Sequence, residues 1–138
     1  MVQLEVKSIH ASYGLSKVLF GISFRVNAGE CVSLIGRNGV GKTTSMRTII
    51  GLTPADRGQI LFEGIDITKL PTHKIAKLGI AFVPEERHIF PELTVWENLD
   101  IARTRSKGNR AEWTEEQVYE LFPDLRDIQQ RLGGVLSG

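Results

Sequence analysis

The sequence predicts an α/β fold, and three observations carry that prediction. Two short, nearly continuous apolar runs, CVSLI at 31–35 and GIAFV at 79–83, suit strands covered on both faces, the environment of a parallel sheet. Strand and helix patterns alternate through the first two thirds of the chain. Between the first run and a helical pattern lies GRNGVGKTT, 36–44, whose glycines let the chain pass from a strand directly into a helix.

The elements follow in order. VLFGISFRV, 18–26, alternates apolar and polar residues as a half-buried strand does, and NAGE, 27–30, turns the chain into the run 31–35. Past the glycines, Met46, Ile49 and Ile50 fall at helical spacing, with Gly51 placed to end the helix. A turn and a brief strand, 60–62, come next, then a helix with Pro71 in its first turn, Ile75 and Leu78 on one face and Gly79 as its stop. The run 79–83 completes a sheet expected to be mainly parallel. After Phe90 the pattern becomes helical: Thr94 with Glu97 and Thr114 with Gln117 match capping boxes, and Val118, Leu121 and Phe122 share a helical face. A subdomain boundary at most is expected near residue 92, between a core over 1–92 and a helical part over 93–138.

Composition narrows the function. The chain has 138 residues, 41% of them hydrophobic, and a formal net charge of +1, which gives no field for nucleic acid or for an acidic surface. The basic stretch RTRSKGNR, 103–110, lacks interleaved aromatics and reads as a solvated connection. Cys31, the one cysteine, cannot form an internal disulfide and reads as a small buried residue of its strand. The first residues have neither the long apolar core of a membrane anchor nor that of a signal peptide, so any membrane association is expected through a partner.

The strongest chemical signal is the 36–44 stretch, which has the phosphate-loop spacing of a glycine, four residues, then Gly-Lys-Thr. Gly36, Gly39 and Gly41 let the backbone approach phosphates closely, with Asn38 among them. Lys42 offers a mobile cation for the β and γ phosphates, Thr43 a hydroxyl ligand for Mg²⁺, and Thr44 is expected to join them in holding the nucleotide. Nucleotide binding follows from this loop. His10, His73, His88, Trp96 and Trp113 have no spacing that implies metal binding or catalysis.

With HASYGLSKVLFGISFRVNAGECVSLIGRNGVGKTT, GLTPADRGQILFEGIDIT, LGIAFVPEERHIFPELTVWENL, LFPDL and the final LSG in this order, the chain resembles the N-terminal part of an ABC-transporter ATP-binding subunit. Within that family it resembles the LivF-like subunits of branched-chain amino acid importers. The resemblance implies a P-loop NTPase core with an N-terminal β subdomain and the start of a helical subdomain. Tyr13 matches the aromatic residue that stacks on adenine. Glu85 stands where the family has the Q-loop glutamine; a carboxylate can ligate Mg²⁺, although its charge repels the phosphates. A competing reading of 79–86 as a Walker B strand end is disfavoured by the intervening Pro84. Leu136, Ser137 and Gly138 match the start of the signature motif.

That match implies a fragment ending inside the motif. The Walker B aspartate, catalytic glutamate and switch histidine would then lie beyond Gly138, leaving no catalytic residue within these positions and no turnover by the fragment. The implied cofactors are ATP and Mg²⁺. The implied partners are membrane permease subunits, a second ABC ATPase subunit and, indirectly, a periplasmic or extracellular substrate-binding protein. The implied location is the cytoplasmic face of the cell membrane, held there by the permease. Urea or amide uptake and a non-transport ABC-type regulator are the alternatives; a GTPase or kinase lacks its guanine-reading or lid signature.

Overall fold

The computed structural model describes residues 1–86, 88–102 and 113–136, in two units, Met1–Val83 and Pro84–Gly138. The first unit is built on a long hairpin, β1 (Val2–Tyr13) against β2 (Ser16–Asn27), which pair antiparallel from Val2 with Asn27 to Tyr13 with Ser16. β3 (Arg57–Phe62) joins the other edge of β1 and β4 (Ile65–Asp66) the edge of β3, giving the order β2-β1-β3-β4. All these pairs are antiparallel.

β1 has two alternating halves out of phase with each other. Leu4 and Val6 face inward until Ser8, at φ 46°, breaks the alternation; Ile9 and Ala11 then carry the inward face. Val6, Ile9, Leu19, Ile60, Phe62 and Ile67 form the sheet's buried face, against which pack Ile49 of α1 (Lys42–Ile49) and Ile75 of α2 (Thr72–Lys77). α1 buries hydroxyls as well, and it bonds them internally: Ser45 Oγ donates to the Gly41 carbonyl and Thr48 Oγ1 to the Thr44 carbonyl, each at 2.8 Å.

The second unit holds α3 (Val95–Ala102), α4 (Glu115–Leu121), α5 (Pro123–Asp127) and a 3-10 turn, Gly133–Val135. Both expected capping boxes form. Glu97 N–H donates to Thr94 Oγ1 at 3.2 Å while Thr94 N–H donates back to Glu97 Oε2 at 2.7 Å, and Thr114 with Gln117 does the same for α4. No helix among the described residues is long and apolar enough to cross a membrane.

Several expectations need correction. The runs 31–35 and 79–83 are not strands, and the sheet is not parallel. A strand exists only where a neighbour completes its backbone ladder, and no described strand pairs with either run. Cys31 is consequently exposed rather than buried, as are Val32 and Ile35. Pro71 is the N-cap of α2 rather than a first-turn residue. On α1, Met46 turns outward while Ile49 and Ile50 are buried. On α4 the buried residue is Tyr119, under the Arg126 guanidinium 5.4 Å from its ring centroid; Leu121 and Phe122 are exposed. The stretch 103–110 lies outside the described residues.

Among the described residues, three carboxyls are held below their ordinary pKa: Glu5 by Lys7 and then Arg25, Asp66 by Gln59 and Thr68, and Glu97 by the backbone and hydroxyl of Thr94. With the folded-state pKa depressed, the unfolded chain takes up the proton first. Their contribution is therefore whole above the unfolded carboxylate value, about 4, and is lost as pH falls through the folded values. Urea midpoints are expected to hold steady from about pH 7 to about pH 5 and to drop steadily below about pH 4. A midpoint unchanged down to about pH 3 would count against these pairings.

Candidate functional site

The 36–44 stretch leads into α1 through Gly41, its N-cap, at φ 97° and ψ 9°. A side chain there would be strained in conformation, and its Cβ would lie 2.7 Å from Cδ2 of the buried Leu19. The sheet and the loop thus require the same glycine. Gly36, Asn38 and Gly39 are exposed along the loop.

No side chain caps α1, and its first turn carries no acidic residue. Its first backbone bond runs from Ser45 N–H to the Gly41 carbonyl at 2.8 Å, so the preceding amides are those that a helix leaves without a partner in its own ladder. Lys42 lays its ammonium along the loop, donating to the carbonyls of Gly36 at 2.7 Å and Arg37 at 2.8 Å. Partial positive charge from the helix end and a full charge from Lys42 therefore converge on one loop.

Tyr13 ends β1 half exposed, and its hydroxyl meets Thr53 Oγ1 at 3.3 Å. Hydrogen bonds from Thr53 and then Thr44, with the charge of Arg47, hold its pKa below the ordinary phenol value. Tyr13 is tied in this way to the helix that the phosphate loop opens. Thr53 and Arg47 are residues that sequence reasoning missed. Arg47 follows Thr43 and Thr44 by one helical turn, so spacing could have found it; nothing in the spacing of Thr53 marks it.

The first unit holds Tyr13, linked through its hydroxyl to Thr44, and carries Gly36, Asn38, Gly39, Gly41, Lys42, Thr43 and Thr44 along one continuous loop and helix start, where Lys42 reaches back to Gly36. Glu85 is an exposed turn residue of the second unit, and Leu136, also there, follows the 3-10 turn with its N–H bonded to the Gly133 carbonyl at 3.2 Å. Ser137 and Gly138 lie outside the described residues.

The loop's chemistry fits a polyphosphate: uncapped amides, an ammonium, and no carboxylate in the first turn. It offers a divalent cation much less. Among the described residues no group of three or more His, Cys, Asp or Glu side chains could hold a metal ion, so Mg²⁺ would depend on the exposed Thr43 hydroxyl together with phosphate oxygens and water.

Comparison with known proteins agrees with this chemistry. Residues 19–138 match the family described as ABC transporter. The lipopolysaccharide export system ATP-binding protein LptB of Haemophilus influenzae is 38% identical over 139 residues, covering 98% of this chain and 57% of that protein. The high-affinity branched-chain amino acid transport ATP-binding protein BraG of Pseudomonas aeruginosa is 36% identical over 135 residues, covering 98% of this chain and 58% of that protein. An ATP-binding cassette of an ABC transporter, solved in its ADP conformation, superposes with a TM-score of 0.70 at 32% identity, over 100% of this chain and 60% of that one. The chain thus spans less than two thirds of the length of each of these proteins.

Proposed function

The chain belongs to the ABC transporter family, and from that premise we propose that it is the nucleotide-binding part of an ATPase that drives branched-chain amino acid import. The observation that carries the nucleotide reading is the uncapped start of α1 with Lys42 lying along its loop. In this reading the amides of 39–44 hold the phosphates, and Lys42 exchanges its two loop carbonyls for the β and γ phosphate oxygens. Thr43 supplies the protein's hydroxyl to Mg²⁺, which when bound neutralises phosphate charge. Glu85 is proposed to position its turn, and Leu136 with Ser137 and Gly138 to begin the segment that meets a partner subunit's nucleotide. Permease subunits at the cytoplasmic face of the membrane would receive the motion.

Tyr13 is proposed to stack on adenine, leaving its hydroxyl on Thr53 and Thr44. Tyr13→Ala is expected to weaken ATP binding roughly tenfold or more, the scale of one base–aromatic stack, and Tyr13→Phe by less than about threefold. Equal losses in the two variants, measured by calorimetric titration, would assign the effect to the hydroxyl and not to the ring.

The similarity to BraG supports amino acid import, and that to LptB supports a second reading, lipopolysaccharide export. Leucine uptake by cells lacking the gene separates them. Lost uptake, restored by the gene and not by its Lys42→Ala form, is the expected result. Unchanged uptake with defective lipopolysaccharide delivery would favour the export reading and leave the nucleotide site untouched.

A further inference from the structure

The carboxamide of Asn98, on the first turn of α3, is fully engaged in holding backbone. Its Oδ1 accepts from Phe90 N–H at 2.9 Å, while Nδ2 donates to the carbonyls of Phe90 at 3.0 Å, Leu93 at 3.2 Å and Thr94 at 2.9 Å. One end meets an N–H and the other meets only carbonyls, so the orientation of the amide is fixed by its partners. Phe90 has both its backbone groups on this one side chain, much as it would in a strand pair.

The loop pinned in this way receives the segment before Leu136. Gly133 N–H donates to the Leu93 carbonyl at 2.8 Å and Gly134 N–H to that of Pro91 at 3.0 Å. Thr94 bridges to Leu132, and the amides of Val95 and Trp96, which open α3, are taken by the carbonyls of Arg131 and Gln129, each at 3.0 Å. The approach is close: a Cβ on Gly133 would lie 3.0 Å from the Phe90 carbonyl oxygen and 3.4 Å from Asn98 Nδ2, and one on Gly134 would lie 3.0 Å from Pro91 Cβ. The Leu93 carbonyl serves Asn98 and Gly133 together, so the side chain and the incoming segment share one anchor.

The geometry points to Asn98 as a positioning residue that clamps the segment leading into Leu136 against the 90–94 loop, holding that loop and the approach to Leu136 in one register. The clamp stands on these hydrogen bonds; its consequence for turnover rests on the proposed nucleotide function. α4 has its own capping box and does not depend on the clamp. Loss of Asn98 therefore opens one seam and leaves the neighbouring helix closed.

Amide hydrogen exchange of the chain, followed residue by residue, tests this. Asn98→Ala and Asn98→Asp both remove the donations to three carbonyls, which is worth about tenfold or more in opening. Gly133 and Gly134 are expected to exchange at least about tenfold faster in both variants, with Val118 of α4 and Phe122, its C-cap, within about twofold of wild type. Phe90 is expected to open in both variants, because Asn98→Ala removes its acceptor and in Asn98→Asp a carboxylate oxygen would face the three carbonyl oxygens and drive the side chain out of place. If Asn98→Ala does not fold, Asn98→Asp carries the comparison with α4 alone. Uniform acceleration, or unchanged Gly133 and Gly134, overturns the proposal.

In the whole protein, Asn98→Asp is expected to lower kcat about tenfold while leaving KM for ATP within about twofold, because the phosphate loop is untouched. Wild type without turnover counts against the proposed function and leaves the exchange result to decide the clamp. Active wild type with an unaltered variant kcat overturns the positioning role.

Discussion

Lys42→Ala is expected to weaken ATP binding by about 100-fold, measured by calorimetric titration, while leaving the thermal midpoint within a few degrees of wild type. The magnitude follows from the chemistry that the side chain brings. A charge-assisted hydrogen bond is worth about 1.5–3 kcal/mol, and an ammonium reaching two phosphates makes more than one. In the structure the same Nζ donates to the Gly36 and Arg37 carbonyls, so part of the gain is offset by exchanging those bonds. About 3 kcal/mol net corresponds to the stated factor. Stability changes little because the lysine is only partly buried and its loop partners are exposed carbonyls that water can reach. Affinity retained within about threefold would remove Lys42 from the site.

Gly58→Ala is expected to cost about 3–5 kcal/mol of stability, the largest effect of a Gly→Ala change in the first unit. Gly58 sits in β3 opposite the place where β1 slips its register, between the pairs Lys7 with Gln59 and His10 with Arg57. Its φ is +99°, and a Cβ would lie 2.4 Å from the Ser8 carbonyl oxygen and 2.5 Å from that of Lys7. Those are backbone atoms of the central strand and cannot swing aside as a side chain end can. Gly64, at φ +80° with nothing within 4 Å of its missing Cβ, supplies the control. Gly64→Ala carries the conformational cost alone, about 1 kcal/mol. Urea unfolding that gives the two variants equal losses would show that the bulge yields and that contact with Ser8 costs nothing.

What could be read from the residues was whatever is encoded locally. The helix opening at Lys42 and both capping boxes depend on near neighbours in sequence, and they form as expected, although Met46 turns outward and no strand leads directly into the loop. β2 was legible because its second half, Ile22 to Val26, alternates regularly past the irregularity at Gly21, whereas β1 was not, because Ser8 shifts the phase halfway along. The runs 31–35 and 79–83 show the opposite limit. Apolar composition states that a segment is fit for burial between neighbours; it does not supply those neighbours, and the ladder is a property of the pair. At the candidate site, the link from Tyr13 to Thr53 spans forty positions and leaves no spacing to read.

The central claim is that the loop opening α1 holds the phosphates of ATP. Amide chemical shifts of the isotopically labelled chain, followed as ATP and Mg²⁺ are added, test it most directly. Saturable shifts are expected, largest at the amides of 39–45, accompanied by shifts at Tyr13, and absent in Lys42→Ala at the same concentrations. A folded chain whose 39–45 amides stay in place at millimolar ATP, or whose shifts centre elsewhere and persist without Lys42, would contradict it.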